Sequence, residues 1–150
     1  MKNGSSTKTQ ILNTGDDSKT IFIRLIVSLI FISEGIQKYL FLEMHGPGLF
    51  KEIGFSHAIF WAYLTGAFEV FCGALILLGL LTRLASIPLL IIMITAFITT
   101  KFPLLSIKGF WTFSHMYSTD FSLTILLIVL FIFGGGNWSV DLKILQSENR

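Results

Sequence analysis

Four apolar stretches divide the chain, at residues 21–42, 58–81, 84–100 and 118–134. The hydrocarbon core of a bilayer, ~30 Å thick, takes ~20 helical residues to cross, so the first two stretches are long enough and the last two are marginal. Residues 70–81 and 121–133 have no polar face, and helices that are apolar all round belong in lipid rather than on the surface of a soluble core. The pattern predicts an all-α fold, an integral membrane four-helix bundle spanning residues 20–142. A polar, Ser/Thr/Lys-rich segment, 1–19, precedes it as a disordered tail, and a short second tail, 143–150, follows. The first stretch starts too late and runs too long for a cleaved signal, and reads as a retained span.

Charges interrupt these stretches at a few places. Arg24, Glu34 and Lys38 lie in the first, Glu69 in the second, and Asp120 at the start of the fourth. A charge inside a span is costly unless it is paired or faces a polar cavity. At about 100° per residue, Arg24, Glu34, Gly35 and Lys38 fall within roughly a third of the helix circumference. Glu34 and Lys38 are i,i+4 neighbours able to neutralise each other in place, with the Gln37 amide beside them. On the second helix Gly66, Glu69 and Gly73 share a face, where small residues allow a neighbouring backbone to come close. Two readings follow. Glu69 is a structural partner for Lys38 or Arg24 that fixes helix register, or it belongs to a proton, ion or headgroup site. The candidate ligand-binding or proton-site residues are Glu34, Gln37, Lys38, Glu69, Arg24 and Asp120. Glu34 and Glu69 are expected to line one cavity opening toward the outer loops, capped by Trp111 and Phe113.

Composition supports a membrane protein: 53% of residues are hydrophobic and 13% charged, about half the charged share usual in soluble domains. The net charge of +2 is spread along the chain with no basic stripe, which argues against a nucleic-acid partner. Cys72 is the single cysteine, so neither an internal disulfide nor a C-x-x-C pair is available, and inside an apolar run it reads as a packing residue. His45, His57 and His115 match no metal-ligand spacing, and no Ser/His/Asp grouping suggests hydrolysis. Gly134-Gly135-Gly136 follows a span and lacks the phosphate-loop patterns, so it reads as a helix stop. No flavin, haem or iron–sulfur ligand set is present in the sequence.

The ordered set of motifs resembles the DoxX family of membrane proteins across about residues 21–142. Arg24 to Lys38, with Phe31 and Gly35 between them, resembles the family's opening Arg…Phe…Gly-x-x-Lys pattern. Glu69-Val-Phe-Cys-Gly73 and Gly79-Leu-Leu-Thr-Arg83-Leu-Ala85 are similar to its Glu-x-x-x-Gly and Gly-Leu-x-Thr-Arg-x-Ala signatures. Met93 and Ala96 fit the third helix, Asp120 falls where many members carry Glu, and Gly134 to Asp141 resembles the closing Gly-Pro-Gly-x-x-Ser-Leu-Asp. The chain departs from the pattern at Glu34, where relatives often carry His or another residue, and at Gly135, which replaces a proline. The resemblance implies a four-helix membrane protein linked to redox metabolism. Some relatives belong to thiosulfate:quinone oxidoreductases or associate with oxidative-stress enzymes, and many have no assigned activity. It points to a quinone-linked or redox-complex subunit of the inner membrane, with a quinone as the cofactor and a redox enzyme as partner. The same polar core also suits a small-solute or proton-coupled transport protein, or a scaffold without a ligand. Homo-oligomer formation is left open.

An even number of spans places the N-terminus, the turn at residues 82–83 and the C-terminus on one side, with Lys2, Lys8, Lys19, Arg24, Arg83, Lys143 and Arg150. The other side holds Lys38, Lys51, Lys101 and Lys108, so the positive-inside rule puts both termini in the cytoplasm. A cysteine placed near Gly46 is accordingly expected to react with an impermeant thiol reagent in intact cells, and one near Ser5 to be protected. The reverse labelling would invert the topology.

Overall fold

The computed structural model describes residues 20–136 and 138–148; the N-terminal tail expected over 1–19 lies outside the described residues. The described chain is helical throughout, with helices α1 (Thr20–Leu40), α2 (Pro47–Glu52), α3 (Ala58–Leu78), α4 (Thr82–Ala96), α5 (Phe102–Phe133) and α6 (Val140–Glu148). A π-helical turn, Phe97–Lys101, joins α4 to α5. Three segments are long and apolar enough to cross a membrane: Thr20–Leu40, Ala58–Leu78 and Thr82–Thr100. A fourth crossing is available if Gly109–His115 and Tyr117–Phe133, bent by 51°, form one span. Residues 143–148 continue in α6.

Large apolar side chains cover the outside as well as the inside. Phe22 is 67% exposed, Leu29 59% and Phe71 64%, a surface that suits lipid and would aggregate in water. The interior is narrow, with Val27, Phe31, Ile76, Leu89, Leu127 and Leu130 at its centre and Cys72 packed among them as a small apolar residue.

The closest helix pair is α1 with α3. A Cβ added at Gly35 would lie 2.8 Å from the Gly66 carbonyl oxygen and 3.0 Å from Glu69 Cβ, so a side chain at that position would force the helices apart. Small residues at such a crossing let dispersion contacts act between backbones, which is how helices associate where lipid is as apolar as leucine.

Two elements differ from the expected pattern. The second span ends at Leu78 rather than running to residue 81, because Gly79 adopts φ +69° and the Gly79 and Leu80 amides turn back to the Ile76 and Leu75 carbonyls. The outer loop expected between the third and fourth apolar stretches is helical instead. It is interrupted at Gly109, whose φ of 76° and ψ of 169° no helix contains, and it bends by 51° between His115 and Tyr117.

One end of the bundle is closed by Arg24 and Asp141. Arg24 is 3% exposed and donates to four main-chain carbonyls: Nε to Ile76, Nη2 to Leu77, and Nη1 to Gly135 and Trp138, at 2.7–3.0 Å. Its guanidinium thereby supplies the free carbonyls at the end of α3 and in the glycine-rich segment after α5. Gly79 also makes room for it, since a Cβ there would sit 2.7 Å from Arg24 Cζ. Asp141, from α6, accepts the Leu81 amide at 2.7 Å and the Thr82 amide at 3.2 Å, capping the first turn of α4. Burial pushes the Asp141 carboxyl up from its ordinary value, while the two amides and the Arg24 charge pull the other way. The ends of α1, α3, α4 and α5 and the start of α6 thus gather at one side of the bundle.

Arg24→Lys keeps the charge but replaces a planar fork with a point donor that cannot serve four carbonyls on separate segments. Since hydrogen bonds to a charged group contribute roughly 1.5–3 kcal/mol each, the variant is expected to lose about 2–4 kcal/mol of stability. Thermal unfolding in detergent measures this, and an unchanged midpoint would contradict the bracing role.

Candidate functional site

Lys38 and Glu69 meet in the opposite half of the bundle. Lys38 Nζ donates to Glu69 Oε2 at 2.6 Å, and the two side chains are 12% and 5% exposed. Their pairing follows from helix geometry. In every α-helix the Cα–Cβ bonds lean toward the N-terminus. The helices α1 and α3 run in opposite directions, so Lys38 leans down α1 and Glu69 leans up α3 until they meet. The crossing at Gly35 and Gly66 brings the backbones close enough for contact. Above it, Tyr39 stacks on Tyr63 with ring centroids 5.3 Å apart, and Tyr39 Oη donates to the Tyr63 carbonyl at 2.8 Å.

The pair forms part of the wall of a cavity of about 530 Å³ lined by residues of α1, α2, α3, α4 and the segments that follow α2 and α4. Its lining is mostly apolar, with Phe50, Phe55, Trp61, Leu64, Phe68 and Ile92 among the contributors. Thr65, Thr95 and Thr99 add hydroxyls whose protons already go to helix carbonyls: Thr65 to Trp61, Thr95 to Ile91 and Thr99 to Thr95, each at 2.8 Å. They therefore offer the cavity lone pairs. Lys38 Nζ carries three protons, of which Glu69 takes one. Among the described residues Glu69 Oε1 has no hydrogen-bond partner. An apolar chamber of this size with a few convergent polar groups is the usual form of a small-molecule site.

The roof is α2 and the segment after it. Phe50 packs edge-on against Phe55 at 5.5 Å and Phe55 against Trp61 at 6.3 Å. This replaces the cap expected from Trp111 and Phe113. Trp111 is 83% exposed, and neither residue belongs to the cavity's described lining. Nothing in the hydropathy pattern singles out a six-residue helix as a roof; the Gly46-Pro47-Gly48 start is the one local signal, with proline at the first helical turn.

The other sequence candidates separate from this pair. Glu34 is exposed and is not among the residues lining the cavity. Gly35 marks the centre of the α1–α3 contact, and Glu34 lies about 100° around the helix from it, on the rim. The expected Glu34–Lys38 neutralisation gives way to the Lys38–Glu69 pair. Gln37 donates to Ser33 Oγ at 3.1 Å on the exposed side of α1. Arg24 shares a face with Lys38, but fourteen residues of helix put it ~21 Å further along the axis. Asp120 is half-buried on α5, where its main-chain carbonyl accepts the Thr124 hydroxyl at 2.7 Å, and it too is absent from the described lining. Missing from the sequence reading were the contributions of α2, Pro88 and the threonines. Thr95 and Thr99, four residues apart near the end of the third apolar stretch, were the available signal.

Residues 20–101 match the DoxX family. The chain is 43% identical over 141 residues to "Uncharacterized membrane protein Rv3486" of Mycobacterium tuberculosis (strain ATCC 25618 / H37Rv), which covers 90% of this chain and 86% of that protein. It is 33% identical over 91 residues to "Putative oxidoreductase CatD" of Bacillus subtilis (strain 168), covering 60% of this chain and 65% of that protein. No solved structure matches the chain significantly.

Removing one partner of an enclosed ion pair leaves an uncompensated charge, at a cost of about 3–5 kcal/mol. Lys38→Met and Glu69→Gln are each expected to lower thermal stability in detergent, and the double variant to recover part of the loss. Strictly additive losses in that double-mutant cycle would show that the pair carries no coupling.

Proposed function

The chain belongs to the DoxX family, and from that premise we propose that it acts as a quinone-linked or redox-complex subunit of the membrane. The observation that carries this reading is the Lys38–Glu69 pair in the wall of an apolar cavity of about 530 Å³. A quinone head is a flat, uncharged ring with carbonyl oxygens. Lys38 has protons left to donate to such an oxygen, and the aromatic side chains of Phe50, Phe55, Trp61 and Phe68 offer faces and edges to a ring. The similarity to a protein named as an oxidoreductase supports a redox connection. Reduction of the bound quinone would draw electrons from a partner protein, with Glu69 and Lys38 placed to exchange the accompanying protons. The site in this reading is Lys38 and Glu69, with Glu34 as a rim carboxylate. The membrane is the cell's inner membrane, with both termini cytoplasmic.

A scaffold in which the pair only pins α1 to α3 is the rival that a specific feature favours, because the 2.6 Å contact is complete without a ligand. The cavity beside it argues the other way: a pin is strongest when packed over on every side, and voids in a protein interior are destabilising.

Purified protein is expected to yield quinone on solvent extraction and to bind decylbenzoquinone saturably, read from tryptophan fluorescence. Lys38→Met is expected to raise Kd by about tenfold, equivalent to ~1.4 kcal/mol. Absence of both extracted quinone and saturable binding would leave the scaffold reading in its place.

A further inference from the structure

The cavity has a closed end and an open side, and the two face different solvents. Toward the outer aqueous surface it is covered by α2 and Phe55, whose lining residues Leu49, Phe50 and Ile53 are all half-buried. The exposed lining residues lie elsewhere. On α3 they are Trp61 and Phe68, 41% and 42% exposed; on α4 they are Ile91, 59% exposed, and Thr95. Residues 61 and 68 are seven apart and residues 91 and 95 four apart, so each pair marks one flank of its helix. Together they border the cleft between α3 and α4. Phe68 is the eleventh of the 21 residues of α3, and Ile91 the tenth of the 19 in Thr82–Thr100. That depth is the middle of the hydrocarbon layer, ~15 Å from either end of the span.

We propose that the cavity is loaded sideways from the bilayer, through the α3–α4 cleft between Phe68 and Ile91, and that its ligands are uncharged molecules dissolved in the lipid. The inference rests on the reading of the cavity as a ligand site. Charge selection follows from the route and from the wall. A charged head would have to cross hydrocarbon to reach the cleft. Inside, it would meet a pair that is already neutral, and any ion drawing Lys38 or Glu69 to itself would strand the other as an unpaired charge. A neutral head with a hydrogen-bond acceptor takes a spare Lys38 proton without breaking the pair. An apolar tail then lies along Phe68 and Ile91 and leaves through the cleft into the acyl chains.

The test reads access without any ligand. Phe50→Trp, in a background of Trp61→Phe, Trp111→Phe and Trp138→Phe, places a single fluorophore in the roof of the cavity; Leu64→Trp in the same background serves if that variant does not fold. The protein is reconstituted in phosphatidylcholine brominated at mid-chain, and separately exposed to aqueous iodide. Quenching by the brominated chains but not by iodide is expected, and Ile91→Phe, which narrows the cleft, is expected to remove about half of that quenching or more. Iodide quenching with no effect of the brominated chains would overturn the proposal, as would chain quenching that Ile91→Phe leaves unchanged. Decylbenzoquinone binding is measured in parallel on the protein with its native Phe50 and Trp61. Chain access without quinone binding would keep the lateral route and remove the quinone; quinone binding with iodide access would do the opposite.

Discussion

The close approach of α1 and α3 over Gly35 and Gly66 is the contact on which the arrangement of charge depends. With the helices this near, no side chain fits between them at that level, and the flanking polar residues must leave the interface along its axis. Lys38 and Glu69 do so toward each other, because the helices are antiparallel and their side chains lean in opposite absolute directions. A parallel pair at the same spacing would lean both groups the same way and leave two separate buried charges. In a bilayer interior, where no water can screen a lone ammonium or carboxylate, that alternative is prohibitive. Helix direction, glycine placement and charge placement therefore specify one another.

The same logic shows how much of the structure was legible in the chain. The sector containing Gly35 and Lys38 on one helix and Gly66 and Glu69 on the next follows from a 3.6-residue period, and the spans follow from length and hydropathy. Depth is not carried by the period. Arg24 shares the face of Lys38 yet is engaged at the other end of the bundle, four turns away, by carbonyls more than fifty and a hundred positions distant in sequence. Asp141 was visible as part of a motif, but its acceptance of the Leu81 and Thr82 amides depends on α6 folding back under the α3–α4 turn. Nor does hydropathy distinguish a connecting segment that is helical from one that is not when both are rich in aromatics, which is why the region before Gly109 reads as loop in sequence and is helix in structure.

Arg24 and Lys38 are both cations inside spans of the same helix, and the protein treats them differently. Arg24 uses four of its five N–H groups on fixed main-chain acceptors from two separate segments, with directions set by a planar fork. Such an arrangement has almost nothing left to offer a ligand, and its replacement by any other residue would free several carbonyls at once. Lys38 uses one of three protons on a side-chain carboxylate that can itself move. The first arrangement resists change and the second permits it.

This asymmetry bears on why a charged pair is kept at all. An apolar pair of similar volume would hold α1 against α3 at least as well, since a buried ion pair has to recover the desolvation of both groups before it contributes anything. The register of the helices is already fixed by the glycine crossing and by the Tyr39–Tyr63 stack. Retaining Lys38 and Glu69 beside an apolar cavity is therefore poorly explained by stability. The proposed function would supply the missing reason, since a site that hands protons to a neutral ligand needs a donor and an acceptor held side by side in one chamber.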